Sequence, residues 1–565
     1  MSGRRRLLSL PLAALLVAGL VALPVLTVAL HVFLPDEGAW RHIVDVLLPD
    51  YLRNTLLLVV GTALGVIALG LTTAWLVSVC RFPGRRIFEW ALVLPLAFPA
   101  YVIAYTYTDL LQVSGPVQTW IRELTGWSAR DYWFPPIRSL GGAVAMLSLV
   151  LYPYVYLLGR AAFVQQSSGV LEAARTLGCG PWGAFFKVAL PMARPALVAG
   201  LLLALMETLA DFGTVAYFGV PVFTTGIYRA WFSLGDPVSA AKLSAVLLAF
   251  VLVLVALERW NRGAMRFHQV GAPAAQHKPY QLRGWRALLA VLACMVPLGF
   301  GFLLPAARLG WLSWVAGDAQ FGARYLGLLW NSVSLAAISA VVAVAAAVIV
   351  GYGLRLQPGR LMRGAHRLAG LGYAIPGSVI AVGVLIPLAA ADRGLRELLA
   401  SWFGIEAGLL LTGGILGLLF AYLVRFLAVS LQSVDAGLAR ITPAMDDAAR
   451  ALGDGPGHTL RRVHLPILRV NLLTAGLIVF VDVMKELPAT LILRPFDFDT
   501  LAVQAYKLAA DERLAEASTA SLAIVVAGLI PVILLARQVS KPAKRRARSE
   551  ARILMDTPAT PAPTG

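Results

Sequence analysis

Charge is what this chain has least of. Of its 565 residues only 14% are Asp, Glu, Lys or Arg, against roughly 25% in an ordinary soluble domain, while 59% are hydrophobic. Such a composition excludes a water-soluble globular protein and points to a lipid bilayer. Cysteine is nearly missing: Cys80, Cys179 and Cys294 stand at no ligand-like spacing, so neither a disulfide framework nor a zinc site is expected. The seven histidines are scattered, with no pair at a ligand spacing, and no metal site is assigned to the chain. There is no G-x-x-x-x-G-K-[ST] phosphate loop, nor a Gly-Lys dipeptide that could end one, so the chain is not expected to hydrolyse ATP by itself. An enzyme of the membrane would need a nucleophile with a base or a metal cluster, and neither is visible as a motif.

What the chain has in abundance is long apolar runs. Crossing roughly 30 Å of hydrocarbon takes about 20 residues of helix. Twelve such runs lie near residues 7–34, 54–79, 88–110, 140–159, 195–217, 239–257, 287–307, 328–354, 368–389, 407–424, 470–493 and 518–536. The first follows Arg4-Arg5-Arg6 but is too long for a signal-peptide core, and is expected to be a retained anchor. Basic residues fall in alternate short loops: Arg81, Arg85 and Arg86; Arg259, Arg262, Arg266, Lys278, Arg283 and Arg286; Arg355, Arg360, Arg363 and Arg367; and a tail with Lys541, Lys544, Arg545, Arg546 and Arg548. The positive-inside rule then places both termini in the cytoplasm. The same rule accounts for the net charge of +18, so no nucleic-acid partner is expected; membrane lipid is.

The chain repeats itself. LEAARTLGCGPWGAFFKVALPMARPAL begins at Leu171, and MDDAARALGDGPGHTLRRVHLPILRVNL begins at Met445; Ala173-Ala174-Arg175 falls on Ala448-Ala449-Arg450 and Leu190-Pro191 on Leu465-Pro466, all at an offset of 275. Asn54-Thr55 recurs as Asn331-Ser332, and Phe98-Pro99 as Ile375-Pro376, at an offset of 277. The reading is an all-α integral membrane protein of about twelve transmembrane helices in two parallel six-helix repeats, related by an axis along the membrane normal. Residues 1–257 form the first repeat, 258–286 a cytoplasmic linker, 287–537 the second repeat and 538–565 a disordered cytoplasmic tail. In each copy the repeated polar segment lies on the cytoplasmic side, before the fifth span of its half. Its Gly residues are expected to break a helix, and residues 182–188 to resume a second short helix before Leu190-Pro191.

The segment resembles the EAA loop of permease subunits of binding-protein-dependent ABC importers: E-A-A, three residues, G, then an L-P pair about a dozen residues on. Glu172, Ala173, Ala174, Gly178, Leu190 and Pro191 match it in the first copy, and Asp447, Ala448, Ala449, Gly453, Leu465 and Pro466 in the second, with Asp447 a shorter stand-in for Glu. The resemblance implies that each loop carries a coupling helix docking on a cytoplasmic ABC ATPase. Two loops imply two copies of that ATPase, which uses the ATP and Mg; no cofactor is bound by this chain.

Acidic side chains inside spans are costly and default to functional or paired roles. Glu207 and Asp211 in the fifth run correspond, at the 275 offset, to Asp482 and Glu486 in the eleventh, which also holds Lys485. Spacings of four put each acidic pair on one helix face, so these five residues are expected to line a central translocation pathway. The alternative is that Lys485 neutralises Asp482 or Glu486 and that Asp211 meets water at the outer interface. Tyr105 and Tyr107, in AYTYTD, are expected in the aromatic belt. The stretches from Glu207 (ETLADFGTVAYFGVPVFTTGIYRAWFSLGDP), from Met484 (MKELPATLILRPFDFDTLAVQAYKLAADERLAEAS) and from Tyr373 (YAIPGSVIAVGV) are similar to fused, ferric-iron-type permeases. That resemblance implies an inner-membrane importer taking ferric iron from a periplasmic binding protein at outer loops near 224–236 and 494–499. Thiamine and phosphonates are the alternative cargoes within the family, and an ion-coupled secondary transporter the alternative class. The two matching inner loops have no purpose in the latter.

Overall fold

The computed structural model describes residues 2–35, 39–165, 178, 180–263, 280–316, 322–406 and 408–540. Among them eleven helices are long and apolar enough to cross a membrane. A bent pair, Arg85–Ala97 with Ala100–Thr125, whose arms meet at 92°, passes the same test only when its two arms are taken together, and brings the number to twelve when counted as one span. The expected all-α, multi-span architecture is therefore present, and its one bent span has a local cause. Phe98 is extended, and Pro99 caps the helix Ala100–Leu111 while supplying no N–H of its own.

The repeat shows the same device. Ile375 is extended and Pro376 caps Gly377–Phe403, so the ninth span begins at Gly377 rather than at residue 368 as the apolar run suggests. The residues just before it form a separate amphipathic helix, Arg360–Ala369. The tenth span is also displaced, to Leu416–Leu438, because residues 408–415 are not helical.

Proline is accommodated differently where the chain must stay helical. Single π turns at Ile43–Leu47, Phe185–Ala189, Gly299–Leu303 and Leu460–His464 are each followed at once by Leu-Pro: Leu48-Pro49, Leu190-Pro191, Leu304-Pro305 and Leu465-Pro466. Widening one turn removes the carbonyl that the proline ring would strike and that has lost its donor. Residues 182–188 are consequently not a free short helix. They run without a break into the fifth span, Trp182–Ala210, as Pro456–Met484 does in the other half.

Each half sends its first span across to the other. Ser2–His31 packs on Ala323–Leu356 and Gly377–Phe403 of the second half, and Leu304–Ala316 packs on Ala100–Leu111 of the first. Gly383 permits the first crossing, because a Cβ there would overlap the backbone of Pro24. The two halves also repeat one clasp. Asn54 Nδ2 donates to the Pro221 carbonyl at 3.0 Å and Asn331 Nδ2 to the Asp499 carbonyl at 3.2 Å, while Thr55 and Ser332 hydroxyls accept from the N–H of Phe223 and Leu501. Among the described residues the β-structure is one two-residue parallel pairing, Cys80–Arg81 with Tyr280–Gln281.

Candidate functional site

The fifth and eleventh spans both end in a break followed by a short helix. Leu190–Ala210 ends before Asp211 and a short helix, Gly213–Tyr217, follows; Leu465–Met484 ends at Lys485 and is followed by Pro488–Leu493. The carboxylates explain how these breaks are tolerated. Asp211 accepts from the N–H groups of Thr214 and Val215 and from the Thr214 hydroxyl, at 2.9–3.2 Å. Glu486, at the equivalent place, accepts from the N–H groups of Ala489 and Thr490 and the Thr490 hydroxyl, at 2.7–3.1 Å. Each carboxylate satisfies the leading N–H groups of a helix that has no water to serve them.

This corrects the expectation of two continuous acidic helix faces. Asp211 and Glu486 lie beyond the ends of the helices that carry Glu207 and Asp482, because each is recruited to start the next helix. The breaks nevertheless bring all five predicted side chains to the wall of one cavity of about 120 Å³ between the halves, beside Tyr101, Tyr154, Tyr373 and Arg425.

Inside the cavity the charges are partly matched. Lys485 Nζ lies 2.9 Å from Asp482, and Arg425 Nη1 lies 3.4 Å from Glu486. Glu207 forms no ion pair among the described residues. Asp211 is held by hydrogen bonds within the fold rather than standing at an outer interface. Tyrosines replace the expected belt: the hydroxyl of Tyr101 donates to the Lys485 carbonyl across the halves, Tyr105 is buried against the Tyr101 and Tyr217 rings, and Tyr107 donates to the Phe300 carbonyl. They are buried because the first-half spans they belong to face the second half. Arg425 was missed from sequence since the apolar run assigned to its span stops one residue earlier; its signal is a lone Arg among fourteen buried positions of Leu416–Leu438. Among the described residues no group of three His, Cys, Asp or Glu side chains is arranged to hold a metal ion.

Of the two repeated polar segments, Glu172, Ala173 and Ala174 in the first lie outside the described residues. The second copy is complete. Pro443–Ala451 is a helix closed by Gly453 at φ 86°, with the Gly453 N–H donating to the Arg450 carbonyl and the Asp454 N–H to that of Ala449, the paired bonds of a Schellman turn. Gly178 has φ 82° at the matching position. Ala449 faces inward, whereas Asp447, Ala448 and Leu452 are exposed. Asp447 pairs with Arg450 at 3.0 Å. The anchoring carboxylate is its neighbour Asp446, held by Arg355 at 2.5 Å and by His464 at 3.0 Å. Leu190, Pro191, Leu465 and Pro466 follow the π turns and open the helices Leu190–Ala210 and Leu465–Met484.

Residues 66–263 match the family described as binding-protein-dependent transport system inner membrane component. The Fe(3+)-transport system permease protein FbpB 2 of Haemophilus influenzae is 26% identical over 538 residues, covering 92% of this chain and 97% of that protein. The molybdenum transport system permease protein ModB of Escherichia coli is 31% identical over 198 residues, 34% of this chain and 83% of ModB. The sulfate transport system permease protein CysT of Escherichia coli is 31% identical over 194 residues, 33% of this chain and 67% of CysT. With its membrane-spanning helices, this chain belongs to the binding-protein-dependent transport family: it is a multi-pass inner-membrane permease subunit of an ABC importer, not an enzyme, in a family that works with a binding protein and an ATPase.

Proposed function

We propose that the chain forms the whole membrane pathway of a ferric-iron importer, delivering cargo from a periplasmic binding protein to the cytoplasm by alternating access. The observation that carries the cargo is the balance of charge in the cavity: Glu207, Asp211, Asp482 and Glu486 against Lys485 and Arg425. An excess of carboxylates in a low-dielectric wall favours a cation and opposes an oxyanion such as molybdate or sulfate. The end-to-end similarity to an Fe(3+)-transport permease supports the same reading.

In this proposal Glu207 and Asp482 meet the passing cation, Lys485 tempers Asp482, and Asp211 and Glu486 chiefly hold the elbows. The segments from Glu172 and Asp447 dock two copies of one ATPase, with both termini on that side. Residues 1–257 and 287–537 act as the two moving halves, joined by 258–286. Outer loops near 224–236 and 494–499 receive the cargo; the second is stiffened by Asp499, which pairs with Arg494 at 2.8 Å and Lys507 at 2.9 Å.

The test is energy-dependent uptake of radiolabelled ferric iron in cells lacking and then regaining this chain, with its partner subunits present. Restoration that fails when Glu172 and Asp447 are reversed to Lys supports both cargo and coupling. Restored uptake of molybdate or sulfate without iron would sink the cargo assignment.

A further inference from the structure

The loop after the second span and the end of the inter-half connection are stitched together. Cys80 pairs with Tyr280 and Arg81 with Gln281, and the Leu282 N–H donates to the Arg81 carbonyl at 3.0 Å. The stitch gathers Arg81, Arg85, Arg86 and Arg283 around an open concavity of about 750 Å³. No carboxylate lines it, and the nearby Glu89 is committed to Arg160. Among the described residues none of the four arginines forms an ion pair. Arg85 is fixed by its Nε, which donates to the Val77 carbonyl at 2.6 Å, and Arg283 leans on the Gln281 side chain at 3.3 Å.

Basic loops satisfy membrane topology wherever they lie, but topology does not require four guanidiniums to share one hollow. Glu89 acts on Arg85 and only partly offsets four like charges, so they repel one another and an anion between them stabilises the arrangement. The depth of the hollow indicates which anion. It lies where the second span ends at Val79 and the seventh begins at Trp285, and its surroundings include exposed Trp90, Trp285 and Ile87. Exposed tryptophans at the ends of spans mark the headgroup layer. In the corresponding arginine-rich loop of the second half, Arg355 is already occupied by Asp446 and by the Leu438 and Ile441 carbonyls.

We propose that this concavity binds the phosphate of an anionic lipid headgroup, gripped by the paired donors of its arginines, and that the bound lipid seals the inter-half connection onto the first half. The experiment uses the full chain in nanodiscs of phosphatidylcholine with phosphatidylglycerol, followed by stepwise delipidation and native mass spectrometry. Wild type retains one phosphatidylglycerol. The variant Arg86→Gln with Arg283→Gln retains it about thirtyfold less, the effect of removing two guanidiniums near a phosphate. Arg360→Gln with Arg363→Gln, in the other half's loop, retains it as wild type does. Arg283→Gln alone, in an exposed position, gives an intermediate loss if the double variant does not fold.

Inorganic phosphate distinguishes the sources. Retention unaffected by added phosphate assigns the lipid headgroup, and displacement of the lipid by phosphate assigns a site for the anion in either form. Equal phosphatidylglycerol retention by wild type and the Arg86/Arg283 variants overturns the proposal. So does a loss of ATPase co-purification without a change in lipid, which would assign the hollow to an acidic protein surface.

Discussion

At Gly453 the space beside the α-carbon is open, and a Cβ placed there would meet nothing within 4 Å, yet φ is 86°. The cost of substitution is therefore backbone strain and not collision. Gly453→Val is expected to destabilise the turn by about 1–2 kcal/mol, and to lower co-purification of the ATPase while the spans stay folded. Arg355 holds Asp446 from a position about one-fifth exposed, so Arg355→Gln is expected to cost on the order of 2 kcal/mol, less than a fully buried pair. The loss is read as a lower unfolding temperature with reduced ATP-driven uptake. Cys80 offers a pH test. Burial pushes its thiol up to about 11, so the thiolate is scarce at pH 7, and labelling by a water-soluble maleimide is expected to be negligible there and to rise as pH increases. Fast labelling at pH 7 would contradict the packing of the loop. The positions of the acidic residues were plain in the sequence, but their division of labour was not. Glu207 and Asp211 read as one pair until the helix ends between them, and Asp392, on the helix Gly377–Phe403, is consumed by the N–H groups of Leu410, Leu411 and Thr412.

Among the elements, the two elbows set apart residues that sequence spacing treats alike. Glu486→Gln removes the charge that caps Pro488–Leu493 and leaves Arg425 unpaired in the membrane core, so it is expected to lower stability by about 3 kcal/mol or more together with uptake. Glu207→Gln is expected to leave the unfolding temperature unchanged and lower uptake roughly tenfold, the equivalent of ~1.4 kcal/mol in the transport barrier. Equal stability losses in both variants would remove the distinction between elbow and pathway. The breaks themselves were legible in part. Phe98-Pro99 falls at the bend of the third span and Ile375-Pro376 just before the ninth, because proline disfavours helical backbone in the residue before it, although the apolar runs read straight through both. The π turns before Leu-Pro were not, since whether a proline ends a helix or is absorbed by one depends on how strongly the flanking turns are held by packing.

For the whole molecule, the duplicated segments showed that two like halves exist, and the fold shows how they hold each other: the first span of each crosses to its sibling, and the cavity is walled by both. That exchange leaves no periodic signature, because an apolar helix reads the same whichever partner it packs against. Its consequence is that neither half encloses the cavity alone, and carboxylates of both line it. The most direct measurement is binding-protein-dependent uptake of radiolabelled ferric iron into proteoliposomes holding this chain and its ATPase, with ATP hydrolysis followed in parallel, for wild type and for Glu207→Gln combined with Asp482→Asn. Wild type is expected to take up iron, and the variant to lose uptake with the ATPase still bound and hydrolysing. Undiminished iron uptake by the variant, or no iron uptake by wild type, would contradict the proposed function.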